Sequence, residues 1–160
     1  MLLLIKSALA LVAVAVSGSQ LAGSGAQSLQ AQLDHVIQGW QTGWVADPPV
    51  GFGGPSPRPQ MFRWRRNGAE ITIEVREMAD RRAALDDVDA TPRLLSTGAV
   101  AAAGIGDRAY VASVPAGGST VYVAVGGRVF TVSLQGPPDV AKSLAARVAP
   151  VVKASPPERS

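Results

Sequence analysis

The stretch MFRWRRNGAEITIEVRE, residues 61–77, decides the fold of this chain. Apolar and polar side chains alternate in both of its halves, and a period of two residues is typical of β-strands with one buried face. Asn67-Gly68 separates the halves, and this dipeptide favours a two-residue hairpin turn because both positions accept a positive φ. The stretch therefore predicts an antiparallel β-hairpin. Its expected buried face consists of Phe62, Trp64, Ile71, Ile73 and Val75.

A second group of alternating segments lies later in the chain. Three strands are expected at about 108–114, 119–126 and 128–135. The glycine pairs Gly117-Gly118 and Gly126-Gly127 stand where tight turns are needed between them. Connections this short join antiparallel neighbours, whereas a parallel pair needs a crossover of a dozen or more residues. The second group therefore predicts a three-stranded meander.

Three segments have the spacing of amphipathic helices. The first lies in residues 27–42. The second follows Asp80 and is expected to reach about Asp87, and the third begins after Asp139 and should kink or stop at Pro150. Strands grouped as hairpins, with helices between the groups, predict an α+β fold. We expect an antiparallel sheet of a β-hairpin plus a three-stranded meander, with the helices packed on one face in two layers.

The beginning of the chain has the order of a secretory signal peptide: Lys6, an apolar run to Val16, then small residues that allow cleavage after Ser19 or Ala26. The apolar run is shorter than the roughly 20 residues of a membrane-spanning helix. We therefore expect a periplasmic or extracellular protein with no transmembrane anchor after cleavage. The predicted organisation is a signal peptide at 1–26, an N-terminal helix at 27–42, a loop rich in proline and glycine at 43–60, an α+β domain at 61–154 and a disordered tail at 155–160.

The composition restricts the chemistry of the chain. It has 160 residues, no cysteine and a single histidine, which excludes a disulfide framework, thiolate metal sites and sites of several histidines. That histidine, His35, is expected on the exposed side of the first helix. The acidic residues Asp86, Asp87 and Asp89 lack the spacing of a calcium loop and predict a solvated helix end. With no catalytic motif found, we expect no catalytic residue, no metal, no cofactor and no enzymatic activity.

The most distinctive surface signal is the alternation of arginine and aromatic residues in the first half of the hairpin. Such interleaving suits ring stacking combined with contacts to anions. Outside the cytoplasm the anions would be phospholipid, lipopolysaccharide or cell-wall polymer, and no nucleic acid is expected. A structural alternative stays open, in which the aromatic rings are buried and the arginines pair with Glu70 and Glu74 on the partner strand. The candidate ligand-binding residues are Trp40, Trp44, Arg63, Trp64, Arg65 and Arg66.

Residues 104–149 carry a resemblance to known proteins. The turn Gly104-Ile105-Gly106-Asp107, the alternating strands at 121–126 and 129–134 and the helix that carries Leu144 resemble a recurrent pattern in small exported bacterial proteins of unknown function. These include secreted and lipoprotein α+β domains of actinobacteria. The order of elements from Phe62 onward is also similar to the Mog1/PsbP-like fold, a sheet-and-helix domain used mostly for binding. The resemblance implies a fold and a compartment, and it implies no catalytic residue.

Together these features predict an exported, non-enzymatic binding or accessory protein of the bacterial cell envelope, with an unknown ligand. The expected partner is an envelope component: a protein, an anionic lipid or a cell-wall polymer. Two alternatives stay open. One is an envelope enzyme that acts through carboxylates or hydroxyls, and the other is a structural subunit of an envelope complex.

Overall fold

A computed structural model of the chain describes residues 24–51, 59–95 and 98–156. In these ranges no helix is both long and apolar enough to cross a membrane. The helices and strands are, in chain order, α1 Ser24–Trp40, β1 Val45–Ala46, β2 Val50–Gly51, β3 Gln60–Arg66, β4 Ala69–Glu77, α2 Arg81–Leu94, β5 Val100–Ala101, β6 Arg108–Val114, β7 Gly118–Val125, β8 Arg128–Gln135 and α3 Pro138–Ala154.

The strands form one open antiparallel sheet, which confirms the predicted α+β class. Seven of them follow the order β1-β3-β4-β8-β7-β6-β5, and β2 pairs with β3 on the same side as β1. β3 and β4 form the predicted hairpin, with Phe62 opposite Ile73. Ile73 also lies opposite Val132 of β8, so the hairpin and the meander of β6, β7 and β8 share one continuous sheet.

The hairpin turn has the backbone that its sequence predicts. Asn67 and Gly68 have φ angles of 48° and 81°, and two successive residues with positive φ are the mark of a type I′ turn. Asn67 is the one residue other than glycine with a positive φ in the described ranges. The turn therefore fixes the register in which Arg66 faces Ala69.

The main core lies between one face of the sheet and the helices α1 and α3. Residues of both helices join the alternate side chains of β3, β4, β7 and β8 in a single buried cluster. The inward face predicted for the hairpin is correct, because all five of its side chains are buried. The largest fully buried side chains of this cluster are Trp64, Phe62, Phe130, Leu33, Ile37, Ile71, Ile73 and Leu144.

Helix α2 lies on the opposite face of the sheet. Ala84 and Val88 of α2 form a separate buried cluster with Ala124 and Val129. Ala124 and Val129 alternate along their strands with residues of the main core, and successive side chains of a strand point to opposite faces. The expectation of two layers, with the helices on one face, is therefore wrong for α2. An apolar stripe shows that a helix has a buried side but does not show which face of a sheet it covers.

Both later helices extend further than their sequences predict. α2 continues to Leu94 with Pro92 inside it, and α3 continues past Pro150 to Ala154. α3 also begins at Pro138, ahead of the expected cap at Asp139. A proline inside a helix forfeits one backbone donor and strains one turn. In α3 this loss is offset by the burial of residues on both sides of Pro150, Val148 and Val152.

Several predicted segments lie wholly or partly outside the described residues. Of the predicted signal peptide, 1–26, the described part is Ser24 to Ala26, which begins α1. Residues 52–58 of the predicted loop and 157–160 of the predicted tail also lie outside. The described part of the loop contributes β1 and β2, two short strands that the sequence pattern does not predict.

Candidate ligand-binding site

Trp64 belongs to the core and not to the surface. Its side chain is fully buried, and its indole Nε1–H donates a hydrogen bond to the Asp34 carboxylate at 3.0 Å. Asp34 lies on α1, so this bond fastens the helix to β3 across thirty residues of chain. Trp64 is therefore inaccessible to a ligand that approaches the surface, as the structural alternative for this strand expects.

The other two candidate tryptophans flank the end of α1. Trp40 is half-buried and packs against the main core. Trp44 is only 7% exposed, and its Nε1–H has no hydrogen-bond acceptor among the described residues. The Arg66 guanidinium carbon lies 4.8 Å from the centre of the Trp44 ring, within the range of a cation–π contact. Trp44 therefore serves as a platform for an arginine.

Two of the three candidate arginines are held by carboxylates. Arg63 lies 3.4 Å from Glu70, and Arg65 lies 3.6 Å from Glu70 and 3.1 Å from Asp47. The structural alternative is thus confirmed for Glu70, whose partners stand across the hairpin. It is wrong for Glu74, which instead pairs with Arg76 of its own strand at 3.5 Å.

Arg66 differs from its neighbours because it contacts no carboxylate in the described part of the chain. Its guanidinium donates hydrogen bonds to the backbone carbonyl of Thr42 at 3.0 Å and to the side-chain oxygen of Gln41 at 2.8 Å. Both acceptors are neutral, so the positive charge stays uncompensated. The guanidinium has five N–H donors, and these two bonds leave the others for further acceptors.

Arg65 and Arg66 border an open cleft of about 470 Å³ at the turn of the β3–β4 hairpin. Gly43 and Val45 form one wall, and residues 65–70 form the other. Clefts of about 300–1,000 Å³ are the size that small-molecule sites have in proteins. We call this the hairpin cleft. It combines an exposed apolar side chain, Val45, with a guanidinium of fixed position.

A second cleft, of about 300 Å³, lies at the other end of the sheet between Glu77, Arg128 and Lys153. The Arg128 guanidinium lies 2.7 Å from the Glu77 carboxylate and donates hydrogen bonds to the backbone carbonyls of Val152 and Ser155 at 2.6 Å each. These carbonyls belong to the end of α3 and the residue that follows it. Arg128 therefore fastens α3 to β8, and its donors are occupied by the fold.

The remaining polar motifs serve the fold. His35 is exposed, as predicted. In the predicted acidic cluster, Asp87 pairs with Arg76 at 2.9 Å, and Asp89 accepts hydrogen bonds from Arg108 and from Tyr110. Across the described ranges no group of three potential ligands comes together that could hold a metal ion.

The turn before β6 fastens α2 to the meander. Asp107 accepts two hydrogen bonds from the Arg81 guanidinium, each at 3.1 Å, and one from the backbone N–H of Gly126 at 2.8 Å. The hydrogen bonds from Arg81 lower the pKa of the Asp107 carboxyl below its ordinary value. Asp107 thus bonds a backbone N–H group near a turn, which is a common role of aspartate.

The sequence does not single out one polar face of the sheet. Beside α2, the strands β4, β7 and β8 present hydroxyl side chains, among them Thr131 and Tyr122, which lie opposite each other. Burial raises the pKa of the Tyr122 hydroxyl, and the charge of Glu74 raises it further. The outward positions of an antiparallel sheet are commonly polar, so this pattern alone carries no function.

The fold and these contacts define an α+β domain with one open antiparallel sheet and helices packed against it. The sequence itself matches no protein family and no curated protein. Among solved structures, the extracellular domain of PknH from Mycobacterium tuberculosis has a similar fold, with a TM-score of 0.54 and 9% sequence identity. The match covers 82% of this chain and 96% of that domain. At this identity the likeness shows a shared fold and carries no site residue from one protein to the other.

Proposed function

We propose that this chain is an exported binding domain of the bacterial envelope and that it binds an anionic group in the hairpin cleft. The fold resembles that of the extracellular domain of PknH from Mycobacterium tuberculosis, and the first residues have the order of an export signal. The single observation that carries the choice of site is Arg66. It is fixed in position at the wall of a cleft, and no carboxylate in the described part of the chain neutralises it.

The surroundings of Arg66 favour binding over a purely structural role. The cation–π contact with Trp44 and the bonds to Thr42 and Gln41 hold the guanidinium in one orientation. A donor group that is already fixed loses less side-chain entropy when it binds. An arginine with free donors also suits phosphate and carboxylate, which accept two parallel N–H bonds. A phosphodiester or carboxylate of an envelope component therefore fits the cleft.

Such an anion has two sources outside the cytoplasm: the headgroup of an anionic phospholipid and the backbone of an anionic cell-wall polymer. Both present an oxygen anion to the same guanidinium. The exposed side chain of Val45 at the cleft favours the lipid, because it would meet the acyl boundary next to the headgroup. The experiment below uses both probes.

The test compares Arg66→Gln with Arg82→Gln by co-sedimentation. Arg82 lies on α2 with 91% of its side chain exposed, so its replacement removes the same charge far from the cleft. The probes are vesicles of phosphatidylglycerol and phosphatidylcholine, vesicles of phosphatidylcholine alone, and isolated cell wall. Loss of one bidentate charged contact is expected to weaken binding to an anionic probe about tenfold or more. Arg82→Gln should bind like the unaltered chain.

The outcomes separate the alternatives. Binding to anionic vesicles but not to cell wall, lost in Arg66→Gln, identifies the lipid headgroup, and the reverse identifies the polymer. Equal binding by both variants shows attraction without a site and overturns the proposal, as does the absence of binding to either anionic probe. Thermal unfolding of both variants checks that Arg66→Gln still folds. If it does not, Arg66→Lys, which keeps the charge, should fold and retain part of the binding.

A further inference from the structure

The turn of the β3–β4 hairpin contains the one asparagine of the sequence, Asn67, followed directly by Gly68. The side-chain amide carbon of an asparagine is placed so that the backbone nitrogen of the next residue can attack it and close a five-membered ring. A side chain on that next residue hinders the attack, and glycine has none. Asn67-Gly68 therefore combines the two residue types that favour this reaction.

The structure leaves both reacting groups accessible. Asn67 and Gly68 are exposed, and a Cβ added at Gly68 would meet nothing within 4 Å. The β3–β4 ladder ends at the pair Arg66 and Ala69, so the two turn residues lie outside it. Among the described residues, neither the Asn67 side chain nor the Gly68 N–H has a hydrogen-bond partner. The backbone rotation that ring closure needs therefore breaks no bond of the sheet, and exposed segments of this kind open most easily.

The reaction needs water and no other co-reactant. The Gly68 nitrogen attacks Cγ of Asn67 and forms a bond to it, and the side-chain amide leaves as ammonia with the proton that the nitrogen gives up. Water then adds to one of the two carbonyl carbons of the ring and breaks the bond between that carbon and the ring nitrogen. Opening the new bond yields aspartate, and opening the original peptide bond yields isoaspartate. Both products carry a carboxylate in place of the neutral amide.

We propose that Asn67 is a site of spontaneous deamidation and that the carboxylate formed there weakens the binding of anions in the hairpin cleft. Asn67 and Arg66 both line this cleft. The acceptors that Arg66 has in the described part of the chain are neutral, so a carboxylate at the next residue would compensate its charge and repel an incoming anion. The effect on binding rests on the proposed function, whereas the modification itself does not.

The two products differ in their effect on the hairpin turn. Asn67 has a φ of 48°, and aspartate accepts a positive φ as asparagine does, so the aspartate product keeps the turn and changes only the charge. Isoaspartate adds one carbon to the main chain inside a two-residue turn, whose length sets the pairing of Arg66 with Ala69. Isoaspartate therefore also displaces Arg66 and should weaken binding more than aspartate.

The modification is tested by incubating the folded chain at mildly alkaline pH and following its mass, beside the variant Asn67→Gly. Glycine accepts the positive φ of this position and has no amide to lose. The unaltered chain should exchange one amide for a carboxylate and release ammonia, and peptide mapping should find aspartate and isoaspartate at position 67. Asn67→Gly should keep its mass. A folded chain that keeps its amide overturns the proposal, and loss of the amide in urea alone would show that the fold protects the turn.

The effect on binding is tested by co-sedimentation of Asn67→Asp and Asn67→Gly with the same vesicles and cell wall. Arg82→Gln is the control, because it lowers the net charge by the same amount far from the cleft. Asn67→Asp should bind about two- to fivefold more weakly than either of the others, the range that exposed ion pairs contribute. Equal binding by Asn67→Asp and Arg82→Gln overturns this effect and leaves the proposed function intact. If the unaltered chain binds neither anionic probe, the proposed function and this effect both fail, and the mass measurement alone decides the modification.

Discussion

Replacing Gly106 with alanine should destabilise the domain much more than the same change at Gly104. Both glycines have positive φ angles, +59° and +79°, which cost an L-residue about 1–2 kcal/mol. A Cβ at Gly104 would meet nothing within 4 Å. At Gly106 it would lie 2.6 Å from the carbonyl oxygen of Ala124 and 2.6 Å from Cγ1 of Val123. The two positions share the backbone strain and differ in the steric collision.

The collision sets the expected difference between the two variants. Both obstacles belong to β7, one a backbone atom and the other a fully buried side chain, so neither moves without a shift of the strand. Forcing extra atoms into a packed interior costs about 1–3 kcal/mol. Added to the strain, this gives a loss of about 2–5 kcal/mol for Gly106→Ala and about 1–2 kcal/mol for Gly104→Ala. A domain of this size has a total stability of about 5–15 kcal/mol.

Urea unfolding followed by tryptophan fluorescence measures both losses, because Trp44 and Trp64 are buried in the folded state. The midpoint should fall for both variants with little change in slope, which shows a change in stability and not in the extent of unfolding. An equal loss for the two variants would refute the reasoning, since it would show that the strand yields to the added carbon at no cost.

Two further predictions concern half-buried carboxylates that accept hydrogen bonds. Asp34→Ala should cost about 1–3 kcal/mol of stability, because it leaves the buried N–H of Trp64 without an acceptor, whereas Asp34→Asn keeps an acceptor oxygen and should cost less. Urea unfolding of both variants measures the two losses of stability. Equal losses would show that the hydrogen bond contributes nothing to stability. Asp107→Asn should lower stability at pH 7. The pKa of Asp107 is lower in the folded state than in the unfolded chain. The ionised carboxylate therefore stabilises the fold fully above the ordinary aspartate pKa of about 3.9, and this stabilisation is lost as the pH falls through the folded-state pKa. The difference in the free energy of unfolding between this variant and the unaltered chain should therefore narrow below about pH 4. A difference that does not change with pH would contradict the assignment.

The parts of the fold that depend on local periodicity could be predicted from the sequence. The alternation of Ile71, Ile73 and Val75 and the turn at Asn67-Gly68 place the hairpin and its buried face correctly. β5 could not be predicted, because a strand of two residues, Val100–Ala101, has no period to detect. The face covered by α2 could not be predicted either, since it depends on tertiary packing.

The candidate site was predictable only in outline. The sequence points to the arginines and tryptophans around the hairpin, yet it cannot separate the three arginines by their partners. Arg63 and Arg65 meet Glu70 across the hairpin, as cross-strand pairing allows. The contact between Arg66 and Trp44 depends on the path of the chain between α1 and β1, which no local pattern determines. The Asp34–Trp64 hydrogen bond joins residues too distant in sequence to be paired by spacing.

The pairing of β4 with β8 has a consequence for the order of folding. Ile73 and Val132 are roughly sixty residues apart in the chain, and contacts between distant residues close slowly because of the loop entropy they cost. The meander can form from neighbouring segments, but the hairpin has no central partner until β8 has been released. Phe62 and Trp64 of the hairpin therefore lack the rest of their sheet until the last quarter of the chain is available. Assembly of this domain is thus tied to the arrival of its C-terminal segment.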